Sequence, residues 1–138
     1  MNSKIQKLAL NLLKHSVKLQ KNEKILIEMI GTDCSDLAGE LIKQAKRIAA
    51  IPVFNIIDYK VLKEVLLNCN EEQIKEYAKY DLARMKNVDA YIGIRAADPK
   101  ELDGISKESM EIGQIFIGIL YVFKLQNLVE ERYILMRY

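Results

Sequence analysis

The amino-acid sequence predicts an α/β domain: a small three-layer unit with a mainly parallel sheet of three or four strands and helices on both faces. Three observations carry this. Short, nearly continuous apolar runs at 24–30, 51–57 and 89–95 read as strands covered on both sides. Segments of helical periodicity separate them, which implies right-handed crossovers between parallel strands. The chain has 138 residues, half of them hydrophobic, so one core suffices; a chain of this length buries roughly two-thirds of its unfolded surface.

The first helix starts with Ser3 as N-cap and Gln6 in the capping-box position. Ile5, Leu8, Ala9, Leu12, Leu13 and Leu19 recur on one face at ~100° per residue, and Lys4, Lys7, Lys14, Lys18 and Lys21 fall on the other. This is an amphipathic helix with a solvated lysine stripe, and its apolar face lacks the aromatic anchor of a lipid-binding helix. Asn22 breaks it. Lys24–Ile30 is the first strand and Gly31-Thr32-Asp33 a short turn. A helix from about Cys34 to Ala49 buries Leu37, Ala38, Leu41, Ile42, Ala45, Ile48 and Ala49. Ile51–Ile57 is the second strand, with Pro52 near its start, where a missing N–H is tolerated. Helices follow from about Tyr59 to Leu67 and, capped by Asn70 with Gln73 three residues on, to Lys86. Asp89–Arg95 is the third strand. Asp98-Pro99-Lys100-Glu101 starts a short helix ending near Gly104, and Ser106 caps another reaching at least Gln114.

The end of the chain differs in character. Ile115–Phe123 has nine residues without a polar side chain. It is too short for a membrane span, which needs about 20 residues, and reads as a fourth strand or as more of the preceding helix. Residues 1–114 are therefore expected to form the α/β domain. Residues 115–138 form an apolar tail, with Tyr133, Ile134, Leu135, Met136 and Tyr138 among its last residues, that docks into a core or mediates association.

Composition narrows the function classes. The chain is too apolar and too balanced in charge for disorder, and has no short repeat. Net charge is +5 over residues 1–24, −4 over 25–113 and +1 over 114–138. That is weaker and less concentrated than a nucleic-acid footprint, so neither nucleic acid nor a membrane is expected as partner. Cys34 and Cys69 make no disulfide framework and have no zinc spacing around them. With no signal peptide, reduced thiols and a cytoplasmic location are the expectation.

Little in the chain reads as catalytic. His15, the sole histidine, sits at the boundary of the first helix's two faces without a partner. Cys34 begins a helix, where the dipole lowers a thiol pKa, but a buried inert cysteine is the plainer reading. Open parallel sheets bind ligands beyond the carboxyl ends of their strands. Those ends carry Thr32 and Asp33, then Asp58, then Arg95, which makes these four the candidate ligand-binding residues. The glycine-rich dinucleotide cradle and the Walker lysine loop are both missing. A receiver domain needs an acidic residue where Arg95 stands.

As a whole the pattern resembles the N-terminal domain of the thermophilic metallo-aminopeptidases, the AmpS, PepS and aminopeptidase T kind. The resemblance is carried by Lys4–Val17 (KIQKLALNLLKHSV), Leu19–Glu28, Ala50-Ile-Pro-Val53, Asn70–Tyr77 (NEEQIKEY), Asp89–Ala96 (DAYIGIRA) and Asp98–Gln114 (DPKELDGISKESMEIGQ). It covers about residues 1–114 and contains no catalytic signature. The resemblance implies a two-domain enzyme whose C-terminal domain holds two divalent metals, zinc or cobalt, on Glu, His and Asp ligands. Those ligands lie beyond the matched region, so no residue here inherits a metal or catalytic role. The chain alone is then expected to be inactive and without cofactor, with peptide a substrate only of the full-length enzyme. A homodimer is the partner that remains open. A truncated product, a frameshifted end or an isolated domain would each give such a chain. The other readings from the residues are a small-ligand module at the strand ends and a structural protein dimerising through the tail.

Overall fold

β1 (Lys24–Ile30) lies inside the sheet because both its edges are paired. It runs parallel to β2 (Ile51–Ile57) on one side and to β3 (Ala90–Arg95) on the other. The computed structural model describes residues 3–114 and 132–138. A fourth strand, β4 (Tyr133–Arg137), pairs parallel to β3, giving the order β2-β1-β3-β4. The chain steps from β1 to β2 in one direction and returns past β1 to β3, so right-handed crossovers put the connecting helices on opposite faces. No helix among the described residues is long and apolar enough to cross a membrane.

The larger core fills the face under α1 (Ser3–Asn11) and α2 (Ser35–Arg47). Ile25, Ile27, Ile92 and Ile94 of the sheet meet Leu37 and Leu41 of α2 there. The opposite face carries α3 (Tyr59–Leu66) and α4 (Glu71–Lys86). On this side Leu26 and Tyr91 pack with Met85, and Tyr133 joins from β4.

The first helix does not run to Asn22. It already includes Ser3, widens after Asn11 into a π-helical turn over Leu12–Ser16, and stops. Val17 N–H bonds the Leu12 carbonyl at 2.9 Å, and Lys18 turns left-handed. The cause lies in the apolar spacing. Leu12 and Leu13 are adjacent and both buried, with Val17 and Leu19 following. A wider turn keeps that set on the core side, as a regular α-turn of 3.6 residues would not. Asn22 does adopt a left-handed conformation, φ 69°, but in the loop leading into β1.

α2 ends at Arg47, so Ile48 and Ala49 lie past it and are exposed rather than buried. Asn70 and Gln73 close a reciprocal capping box on α4 as read, while Asp58, read as a ligand candidate, caps α3. Asp98 caps Pro99–Leu102, which is one 3₁₀ turn rather than an α-helix. Ser106 Oγ accepts the Ser109 N–H at 3.1 Å at the start of α5, helical over residues 107–114. The 115–123 run lies outside the described residues. Ile134 and Met136 of β4 pack against the larger core, so residues 133–137 are part of the sheet.

β2 departs from its reading as a strand covered on both sides. It is the sheet's edge, with Ile51, Val53, Phe54 and Ile56 exposed. Among the described residues no strand pairs beyond it.

Candidate functional site

The ladder continues for one step past the carboxyl ends of the strands. Gly31 N–H bonds the Ile57 carbonyl and Ala96 N–H bonds the Ile30 carbonyl, each at 2.8 Å. The loops bearing Thr32, Asp33, Asp58 and Arg95 therefore lie along one edge of the sheet. Their side chains do different things. Thr32 and Asp33 are exposed. Asp58 Oδ1 accepts the Lys60 N–H at 2.8 Å as the α3 cap. Arg95 is half-buried, and its Nε is enclosed without a hydrogen-bond partner.

At the switch point between β1 and β3, where open sheets hold ligands, backbone comes very close. Gly31 has φ +92°, and a Cβ there would stand 3.0 Å from the Ala97 nitrogen. Glycine is required by both the left-handed conformation and the approach. Just past β4, Tyr138 donates its hydroxyl to Asp36 Oδ1 at 2.6 Å, at the start of α2. The Asp36 carboxyl is held below its ordinary value chiefly by that bond.

A polar network absent from the sequence reading lies under α4. Glu28 in the middle of the sheet accepts the Tyr91 hydroxyl on Oε1 at 2.8 Å and the Asn55 amide on Oε2 at 3.0 Å. Gly93 makes room for it, since a Cβ there would collide with the Tyr91 phenol and Leu135 Cδ1. Burial, then the Glu28 charge, pushes the Tyr91 hydroxyl far above the usual phenol value. Burial and the same Glu28 charge raise Asp81, which pairs with Arg84 at 3.2 Å. A signal was present: Glu28 and Asn55 are each the lone polar residue inside an apolar run, both five residues into their strands.

Both cysteines are buried, and the histidine is exposed. Cys34 is fully buried, with its thiol toward the Gly31 and Ile94 carbonyls, and burial raises its pKa. Cys69 is buried against the Ser109 carbonyl at 3.4 Å. His15 lies exposed on the π-helical turn.

The thermophilic metalloprotease family M29 matches residues 1–118. The chain belongs to that family. A search of curated proteins gave no match. Among solved structures the fold is similar to wild-type AmpT from Thermus thermophilus, with a TM-score of 0.72 and 19% identity over 99% of this chain. The match spans 36% of the AmpT chain.

M29 is a metalloprotease family, so the donors available for a metal matter. Among the described residues no three His, Cys, Asp or Glu side chains gather as a metal-binding group. Glu28 is engaged by Tyr91 and Asn55, and Asp81 by Arg84. These residues do not fit a catalytic metal, which wants several imidazole or carboxylate ligands around an open position.

Proposed function

We propose that this chain is the non-catalytic α/β part of a metal-dependent aminopeptidase that removes N-terminal residues from peptides. The family match over residues 1–118 carries this reading, beside a span of only 36% of AmpT. In a complete enzyme two divalent ions, zinc or cobalt, would supply an activated water for attack on the first peptide bond. The described residues offer no constellation for that step. Their part is architectural: a sheet with a bare apolar edge at β2 that a further domain can cover. Reduced, buried cysteines are consistent with a cytoplasmic location.

The direct test is activity. The purified 138-residue chain, assayed on aminoacyl p-nitroanilides with added cobalt or zinc, gives no turnover above the metal blank. Metal-dependent turnover that copurifies with the chain rejects the reading.

One observation favours a small-ligand site at the strand ends. The Arg95 Nε is buried and lacks an acceptor, a donor that an anionic or carbonyl group would complete. On that reading a metabolite raises the melting temperature of the chain and Arg95→Ala abolishes the rise. A flat response across acidic and carbonyl metabolites counts against it.

A further inference from the structure

α1 and α2 lie side by side, braced by a Gln44 Nε2 bond to the Gln6 carbonyl at 3.0 Å. Between them runs a groove of about 730 Å³ walled by Leu10, Leu13, Leu19 and Ile48. Glu40 lines it while only 4% exposed, and neither of its carboxylate oxygens has a hydrogen bond. Lys43 pairs with it, Nζ 3.4 Å from Oε2. A buried carboxylate without hydrogen bonds is costly. A donor delivered into the groove removes that cost.

The remaining charges select the donor's carrier. Lys7, Lys14 and Arg47 also line the groove, so its field is positive apart from Glu40. A simple amine would satisfy Glu40 but add a cation among cations. A simple anion would suit the lysines but leave Glu40 bare. A zwitterion adds no net charge and answers both signs.

We infer that the α1–α2 groove binds an apolar α-amino acid. Its ammonium donates to the Glu40 carboxylate, its carboxylate faces the basic residues, and its side chain lies on Leu10, Leu13 and Ile48. The site is on the far side of the larger core from α4 and shares no residue with the strand-end loops. It does not depend on the aminopeptidase reading.

The test is a titration of the full chain followed by amide NMR, with L-leucine, N-acetyl-L-leucine and isoamylamine as probes. L-leucine gives saturable shifts confined to α1 and α2. N-acetyl-leucine, lacking the ammonium, and isoamylamine, lacking the carboxylate, bind at least tenfold more weakly. Glu40→Gln weakens leucine at least tenfold while the helical circular dichroism is unchanged. The exposed Lys14→Glu and Arg47→Glu variants shift the preference from leucine toward isoamylamine, which a purely structural role for these residues would not do. Leucine that never saturates, leaving Glu40 merely hydrated, overturns the inference. So do equal binding of all three probes and undiminished binding by Glu40→Gln.

Discussion

Arg132 anchors β4, and removing it should loosen that strand measurably. Its Nε donates to the Val17 carbonyl at 2.9 Å, and its Nη1 donates to Glu23 Oε2 at 2.8 Å while Nη2 meets Oε1. The fork ties the start of β4 to the loop ahead of β1. The two side chains are 14% and 22% exposed, so solvent screens the pair only in part. Hydrogen bonds to charged groups contribute about 1.5–3 kcal/mol each and are not additive within one fork. Arg132→Ala should therefore cost about 2–3 kcal/mol in urea unfolding. Amide exchange should quicken at Tyr133–Arg137 first, since among the described residues that strand pairs with β3 alone. The effect should also depend on pH. Arg132 lowers the Glu23 pKa below 4.5 in the folded state. The stabilisation is full above the unfolded value and disappears as pH falls through the folded one. A loss under about 0.5 kcal/mol, the range of an ordinary surface substitution, would refute the reasoning. So would a Glu23→Gln double-mutant cycle with no coupling.

Four further outcomes follow from the same geometry. Gly93→Ala drives a methyl into the Tyr91 phenol and Leu135 and should cost about 1–3 kcal/mol by thermal or urea unfolding. Tyr91→Phe strips Glu28 Oε1 of its donor and should cost about 1–3 kcal/mol in the same measurement. Asp81 has the opposite pH signature to Glu23: its folded pKa is raised, so its contribution falls as pH climbs past the unfolded value, and Asp81→Asn should flatten that part of the stability curve. Cys34 should resist iodoacetamide in the native chain and react on unfolding, since burial raises its thiol pKa.

What the sequence showed depended on how local the cause was. Strand positions and caps came through because the apolar runs and the caps at Asn70, Asp98 and Ser106 act over a few residues. The π-helical turn was hidden because Leu12 and Leu13 fit an amphipathic stripe loosely, and only the packed core decides that both must be inside. β2 and β1 look alike in one dimension, yet β1 is central and β2 is an edge; strand order is a tertiary fact. The candidate residues were placed correctly by topology, at the strand ends. Their side-chain roles were not legible, since Asp58 is a cap and Arg95 holds an enclosed Nε. The Glu28 network required knowing that Asn55 and Gly93 flank Glu28 in register. Glu40 gave no sign at all, because its burial comes from α1 lying against α2.

Metal retention bears most directly on the reading of this chain as a family part without its own catalytic site. The purified, untagged protein is loaded with excess zinc or cobalt, dialysed exhaustively and measured by elemental analysis. The reading predicts retention far below one ion per chain. Stoichiometric, tightly held metal would contradict it and place a catalytic centre within these 138 residues.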